Sequence, residues 1–203
     1  MTVLEVRRLT PATVTDFWSV HRDDEGCGWC FCVAWWVPTW KAFPDRTEAE
    51  NRALREGLFA RGEHDGYVLT VDGEPAGWCQ CGPRDRLPQL REMYGLVADP
   101  GVWAATCFVL RPAFRGRGLA HALLAGVVED VRARGATRIQ GFPRRGRHDA
   151  GEVWTGPEGV FVRAGFSAVA ETPRGPVYER TLGAVDVPLR RPDGVDAGRT
   201  SSD

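Results

Sequence analysis

The residues of this chain best suited to chemistry lie in one short segment, where an apolar stretch leads into a glycine-rich turn. Residues 107–110 have the apolar character of a buried strand. Gly116 and Gly118 follow, and leucine and valine then recur at helical spacing. Such a turn leaves backbone N–H groups unpaired at the positive end of a helix dipole, which is a site that attracts phosphate. Because Arg115 and Arg117 flank the glycines, the segment predicts a binding site for a phosphorylated cofactor.

Three phosphate-binding loops compete for this segment. The spacing G-x-x-x-x-G-K-[ST] occurs nowhere in the chain, which argues against a nucleoside triphosphatase. The dinucleotide pattern G-x-G-x-x-G fails at its third glycine, where His121 stands, and residues 138–141 offer no acid for a ribose. A glycine turn without a ligand stays open, although two close glycines among several arginines argue against it.

The third pattern is R-x-x-G-x-A, formed by Arg115, Gly118 and Ala120. At this point the chain resembles the GCN5-related N-acetyltransferase (GNAT) superfamily. The preceding F-V-L-R-P is similar to the end of that family's fourth strand, and residues 160–166 (VFVRAGF) resemble its F-Y-x-x-x-G-F element. These matches lie in the C-terminal half of the domain, and the first hundred residues match only in their order of elements.

The resemblance implies that acetyl-CoA binds with its pyrophosphate on the backbone amides of Gly116 to His121. Its pantetheine arm would pair with the strand edge at residues 108–110, where the family separates its fourth and fifth strands. The implied activity is transfer of an acetyl group to a primary amine of a small molecule or a protein, directly within a ternary complex. The cofactor-binding residues implied in this way are Phe108, Val109, Leu110, Arg115, Gly116, Arg117, Gly118, Leu119, Ala120 and His121.

Acetyl transfer needs a neutral amine, a donor for the oxyanion and a proton for the departing thiolate. The family often supplies that proton from a tyrosine, but Phe161 stands at the corresponding position here. The loop with His148, Asp149 and Glu152 offers candidate bases, with a solvated polar loop as the alternative. Cys107 would lie near the thioester if the strand alignment holds, and the alternative is a buried, inert thiol.

The cysteines raise a second hypothesis, a zinc-bound interaction module. Cys27, Cys30 and Cys32 form one group, and Cys79 and Cys81 form another. Their spacing differs from the paired C-x2-C pattern of a zinc ribbon. Small apolar side chains that line a pocket explain them better, so we predict no metal ligand.

The aromatic residues point to the acceptor end of the site. Tryptophans crowd into residues 29–40, where they either pack a long loop or form the wall of an acceptor site. An aromatic wall favours an apolar or cationic amine. Tyr94 and Tyr178 are further proton donors that no motif places.

Composition limits the classes of function. The 203 residues carry a net charge of −1 and are 43% hydrophobic and 26% charged, as in a single globular domain. We therefore expect neither nucleic acid nor a membrane as a partner, and a homodimer stays open. Without a signal-peptide pattern, the expected location is the cytoplasm, where the six cysteines would stay reduced. A chain that binds acetyl-CoA without turning it over is a further alternative.

The order of elements predicts a mixed α/β fold, with a mostly antiparallel, GNAT-like central sheet flanked by helices. We expect one domain over residues 1–182 and a disordered tail over 183–203. A capping box at Asp45 and Glu48 is expected to begin the second helix. The other predicted helices span residues 11–21, 119–134 and 158–164, and the predicted strands span residues 3–8, 67–71, 76–82, 102–110, 138–142, 167–171 and 177–181.

Overall fold

A computed structural model describes residues 2–22, 28–146 and 152–183 of the chain. Seven strands form a single sheet. They are β1 (Leu4–Arg8), β2 (Tyr67–Val71), β3 (Glu74–Pro83), β4 (Val102–Leu110), β5 (Arg138–Gly141), β6 (Ser167–Thr172) and β7 (Gly175–Thr181).

The strand order in the sheet is β1-β2-β3-β4-β5-β7-β6. Every neighbouring pair is antiparallel except β4 and β5, which run parallel. The expected mixed α/β class with a mostly antiparallel sheet is therefore confirmed. The single parallel pair places the carboxyl ends of β4 and β5 at the same edge.

Five α-helices accompany the sheet in the described part of the chain. They are α1 (Val14–Arg22), α2 (Glu48–Ala60), α3 (Pro88–Tyr94), α4 (Leu119–Ala133) and α5 (Glu158–Arg163), and short 3-10 turns lie between several of them. Helix α3 was not expected from the sequence. It begins with Pro88 in its first turn and ends at Gly95, whose left-handed backbone (φ +63°) closes the helix.

The sheet separates two apolar clusters. On one face, α4 packs its Leu123, Leu124 and Val127 against the strands, and α5 adds Phe161. The other face holds the tryptophan-rich loop and the first two helices. Side chains along β4 alternate between the two clusters, as expected for a strand buried on both faces. A shift in the pairing with β3 interrupts this alternation, so Ala105 and Cys107 lie in opposite clusters.

One expectation about the start of a helix is wrong, and one about the C-terminal tail is not tested. The capping box of α2 is formed by Thr47 and Glu50, not by Asp45 and Glu48, because Asp45 still belongs to a preceding 3-10 turn. Residues 184–203, nearly all of the expected tail, lie outside the described part of the chain. Within the described residues, none of the helices combines the length and apolarity needed to cross a bilayer.

Candidate active site

The most prominent feature of the sheet is a gap between β4 and β5. The two strands pair only from Val102 to Ala105 on β4 and from Arg138 to Gly141 on β5. Beyond Ala105, β4 continues to Leu110 while β5 has ended. The carboxyl-terminal half of β4 therefore presents one edge to a space that β5 does not fill.

The backbone groups on this edge belong to alternate residues. Arg111 N–H donates to the Ala76 carbonyl on the β3 side, so the N–H and carbonyl groups of Phe108 and Leu110 point to the gap. Two contacts confirm this direction. The Phe108 N–H donates to the Trp154 carbonyl at 2.7 Å, and Arg115 Nε donates to the Leu110 carbonyl at 2.8 Å.

The glycine turn lies directly beyond the end of β4. Gly116 (φ +73°) and Gly118 (φ +75°) both adopt the left-handed backbone, and each faces open space on the side where a Cβ would stand. Gly118 is the N-cap of α4 and has no side chain to cap it, so first-turn amides are left for another partner. The His121 N–H is already used, because it donates to the Gly118 carbonyl at 3.1 Å.

The remaining residues expected at the cofactor site differ in what they present. Arg115 and Arg117 are exposed beside the glycines, and the Arg117 guanidinium lies 5.6 Å from the centroid of the Phe114 ring. Leu119 buries its side chain in the core, so only its backbone could meet a phosphate. Val109 turns its backbone to β3 and its side chain into the opposite core cluster, so it does not face the gap.

Phe161 occupies the floor of the gap. Its ring is fully buried and meets the Phe108 ring edge to face, with 5.7 Å between the centroids. A Cβ added to Gly156 would lie 2.7 Å from Phe161 and 3.0 Å from Phe108, which shows how closely the chain packs here. Phe161 stands where the family often has a tyrosine. It presents only a hydrocarbon wall to the gap and cannot donate a proton.

Of the four candidate catalytic residues, Cys107 and Glu152 lie in the described part of the chain, and they have different surroundings. Cys107 is 2% exposed and lies in the core beside the Cys32 thiol. Glu152 is exposed, and its backbone carbonyl accepts a hydrogen bond from Arg144 at 3.3 Å. His148 and Asp149 lie outside the described residues.

The Cys32 thiol is enclosed by other core groups. Burial raises the pKa of Cys32, and hydrogen bonds with the Cys107 and Cys30 thiols act in the same direction. His21 Nε2 lies 3.3 Å from the Cys32 Sγ, while His21 Nδ1 is 2.9 Å from the Phe17 carbonyl. His21, Cys32 and Cys107 thus form a buried polar cluster behind β4, on the face of the sheet that holds the tryptophan-rich loop.

The two cysteine groups of the zinc hypothesis lie on opposite faces of the sheet. Cys79 and Cys81 belong to the cluster under α4, and Cys32 belongs to the cluster on the other face. Among the described residues, no three histidine, cysteine or acidic side chains are arranged to hold a metal ion. Cys27 lies outside those residues.

A cavity of about 190 Å³ lies beside the gap. Trp154, whose carbonyl meets β4, is in its wall together with Trp35 and Trp40 from the tryptophan-rich loop. Two tryptophans of the tryptophan-rich loop thus form a wall at the end of the gap. Trp29 does not line this cavity and stacks on Phe43 at 5.3 Å between centroids.

Tyr94 also lines this cavity and comes from the unexpected helix α3. Burial raises the pKa of Tyr94, and the nearby charges of Arg174 and Arg144 oppose that increase. The other candidate tyrosine, Tyr178, donates its hydroxyl hydrogen to Glu158 and belongs to the cluster under α4. A proline at the start of α3 and a glycine at its end were the signals that could have located Tyr94.

A larger cavity of about 670 Å³ lies between α1 and α2, lined in part by Trp18 and Arg52. Neither the glycine turn nor the edge of β4 contributes to its lining. The convergence of backbone groups therefore favours the strand gap as the site of chemistry.

Comparison with known proteins identifies the family and the fold. The model of the Acetyltransferase (GNAT) family matches residues 17–150. No curated protein sequence matches the chain. Among solved structures, a GNAT-family protein from Desulfovibrio desulfuricans aligns with 20% identity and a TM-score of 0.53, over 90% of this chain and all (100%) of that one.

Two further structures show the same fold. The paiA N-acetyltransferase of Thermoplasma acidophilum, solved with coenzyme A, has 12% identity and a TM-score of 0.52, over 88% of this chain and 99% of that one. An aminoglycoside acetyltransferase, AAC(6')-Ib, also solved with coenzyme A, has 20% identity and a TM-score of 0.51, over 88% and 95%. Because the family model spans more than half of the sequence and the strand arrangement agrees, the chain belongs to the acetyltransferase (GNAT) family.

Proposed function

We propose that this protein transfers the acetyl group of acetyl-CoA to a primary amine, directly within a ternary complex. The observation that carries the proposal is the gap between β4 and β5, which opens next to the glycine turn at the start of α4. A donor with a pyrophosphate at one end and an amide-containing arm at the other fits these two features together.

The pyrophosphate would bind at the turn between β4 and α4. The backbone amides from Gly116 to Ala120 lie at the positive end of the dipole of α4, where an anion is stabilised. Arg115 and Arg117 add positive charge from exposed positions beside the same turn. Both glycines have open space in place of a side chain, so phosphate oxygens can approach the backbone closely.

The pantetheine arm would lie along β4 as an added strand, which requires backbone groups rather than particular side chains. Phe108 and Leu110 supply those groups. Because the Phe108 N–H already donates to the Trp154 carbonyl, the arm would leave this bond in place and pair with other backbone groups of the edge. We therefore propose that the segment around Trp154 keeps its position when the donor binds.

The proton steps are assigned to groups near this segment. Glu152 precedes Trp154 by two residues and is exposed, so we propose it, with His148, as a candidate base for the incoming amine. Tyr94 is the candidate proton donor for the thiolate, because it lines the cavity beside the gap and its hydroxyl is protonated at neutral pH. Cys107 is enclosed in the core, so we give it no covalent step.

The test is the substitution Gly118→Glu, with binding of coenzyme A measured by calorimetry. We expect binding to be lost, because the new carboxylate would stand among the phosphates at the mouth of α4. The matched control is Gly135→Glu, which places the same side chain at the other end of α4. Gly135 has the same left-handed backbone (φ +83°) and the same open space.

Both variants place a side chain on a left-handed backbone, so both carry the same kind of strain. A loss of coenzyme A binding in Gly118→Glu but not in Gly135→Glu therefore reports on the phosphate site and not on the strain. Binding of coenzyme A by Gly118→Glu at the affinity of the unmodified protein would overturn the donor site. Release of free thiol from acetyl-CoA with a panel of amines then tests catalysis. Binding without thiol release from any amine would favour a non-catalytic binder, an alternative that the hydrocarbon wall at Phe161 suggests.

A further inference from the structure

The cavity beside the strand gap has the dimensions and lining of a binding pocket for one flat group. Its volume is about 190 Å³, and an apolar cavity of about 150 Å³ is already enough to hold a benzene molecule. Trp154 is in its wall, and the Trp154 carbonyl contacts Phe108 of β4. The pocket therefore lies next to the place where the acetyl group is expected.

Three indole rings give the pocket its shape. Trp35 and Trp40 are nearly parallel, with centroids 5.6 Å apart and 20° between their planes. Trp40 and Trp154 are similarly stacked, at 6.1 Å and 21°. Trp35 and Trp154 are also in contact, at 5.3 Å, so the three rings stack on one another and form one aromatic wall. A flat apolar group would pack against this wall and not between the rings.

The same pocket holds polar atoms that lack partners. Trp35 is 1% exposed and Thr155 is 5% exposed. Within the described part of the chain, Trp35 Nε1 and Thr155 Oγ1 are both buried without a hydrogen-bond partner. The indole N–H can only donate, so it requires an acceptor atom from elsewhere. Both atoms are enclosed by protein atoms, so a bound molecule would reach them only if neighbouring side chains shifted.

The charge of the pocket is positive. Arg144 and Arg174 both line it, and both lie close enough to the Tyr94 hydroxyl to lower its pKa. None of the described residues that line the pocket carries a carboxylate. A carboxylate on the bound molecule would therefore meet two guanidinium groups, whereas a second positive charge would be repelled.

We propose that the amine acceptor is a small molecule with an aromatic body and a carboxylate, such as an aromatic amino acid. This inference rests on the proposed acetyl transfer. The aromatic ring would lie against the wall that the stacked indoles form, and the carboxylate would lie toward Arg144 and Arg174. The sequence left apolar and cationic amines open, and the two arginines favour an acceptor that carries an anionic group.

The test compares acceptors that differ only in the carboxylate. Thiol release from acetyl-CoA is measured with phenylalanine against phenethylamine, and with tryptophan against tryptamine. We expect kcat/KM to be higher for the amino acids by about tenfold, the effect of one charge-assisted hydrogen bond. A polycationic aminoglycoside such as kanamycin should be the poorest acceptor.

The variant Arg174→Gln, alone and together with Arg144→Gln, tests the source of this preference. We expect KM for phenylalanine to rise about tenfold and KM for phenethylamine to stay unchanged. The matched control is Arg132→Gln, an exposed arginine in the last turn of α4, which should change neither value. Equal use of phenylalanine and phenethylamine, or a preference for kanamycin, would overturn the inference and leave the proposed acetyl transfer intact.

A second readout does not depend on turnover. Because three tryptophans line the pocket, phenylalanine should quench the intrinsic fluorescence in a saturable manner, and Arg174→Gln should weaken that binding. If coenzyme A binds but no amine releases thiol, the proposed function fails, and this titration still decides the pocket. Saturable quenching would then support an aromatic carboxylate site, and the absence of quenching would exclude it.

Discussion

Arg55 joins α2 to the tryptophan-rich loop from inside the core. The residue is 1% exposed, and its guanidinium donates to the Phe31 carbonyl at 2.9 Å and to the Cys32 carbonyl at 2.7 Å. It also donates to Gln80 Oε1 of β3 at 3.1 Å. Burial lowers the pKa of Arg55, but the three acceptors and the aromatic rings beneath it stabilise the cation. This arginine therefore fixes the loop that carries Trp35 and Trp40.

The substitution Arg55→Met should destabilise the protein by about 3 kcal/mol, because it leaves buried carbonyl oxygens without donors. The matched control is Arg52→Met on the same helix. Arg52 has a 53% exposed side chain and pairs with Glu56 at 2.9 Å, so its loss should cost at most about 1 kcal/mol. Urea unfolding measures both changes. Equal losses in the two variants would contradict the structural role of Arg55.

At the level of elements, two overlapping capping-box patterns stand before α2, and only one of them forms its start. Asp45 with Glu48 and Thr47 with Glu50 have the same spacing, and the sequence favoured the first pair. In the structure, Thr47 Oγ1 accepts from the Glu50 N–H at 3.2 Å, and Glu50 Oε2 accepts from the Thr47 N–H at 2.7 Å. The second pair therefore forms the capping box.

The substitution Thr47→Ala should reduce the free energy of unfolding by about 1 kcal/mol, the usual value of an N-cap side chain. Asp45→Ala should leave stability nearly unchanged, because Asp45 is exposed in the 3-10 turn that precedes α2. Thermal unfolding of the two variants compares the patterns directly. A larger loss for Asp45→Ala would restore the assignment made from the sequence.

The elements that the sequence predicted well are those with strong local signals. Strand β4 and helix α4 have long apolar periods, and Pro112 and Gly135 mark their limits. Helix α3 was missed because it is only seven residues long and has polar residues at Gln89, Arg91 and Glu92. A short helix of this kind depends on its tertiary contacts rather than on its own sequence.

The two halves of the candidate site also differ in how far the sequence predicts them. The cofactor half is one continuous segment from β4 to α4, so its residues could be named from a motif. The acceptor pocket brings together Trp35, Tyr94, Trp154 and Arg174, which lie far apart along the chain. Only the folding of the sheet brings these four segments together, so the spacing of residues along the chain does not predict the complete pocket.

For the molecule as a whole, the gap in the sheet connects two sites that lie over different core clusters. The glycine turn begins α4, which packs on one face, and the indole-lined pocket belongs to the cluster on the other face. Since β4 contributes to both clusters and lines the gap, it would fix the distance between the proposed donor and acceptor sites. The proposed reaction therefore requires the buried cluster on the face of the tryptophan-rich loop, which includes Cys32 and Cys107, to stay folded.

His21 makes this cluster sensitive to acid. Burial lowers the pKa of His21 to about 3, and the positive charge of Arg55 acts in the same direction, while the bond to the Phe17 carbonyl opposes it. The folded protein thus holds His21 neutral, but an unfolded chain protonates it below its usual pKa of about 6.5. The stability that this provides is fully present above pH 6.5 and is lost as the pH falls toward 3.

Between pH 7 and pH 5, this one histidine should therefore reduce the free energy of unfolding by about 2 kcal/mol. The variant His21→Asn keeps a donor for the Phe17 carbonyl but cannot take up a proton, so its stability should fall by that much less over the same interval. Urea unfolding at both pH values gives the comparison. The control His64→Asn removes a partly exposed histidine that stacks on Phe59, and it should retain the acid sensitivity of the unmodified protein. If His21→Asn and the unmodified protein lose equal stability, His21 accepts a proton in the folded state, and the core behind β4 is more open than the structure shows.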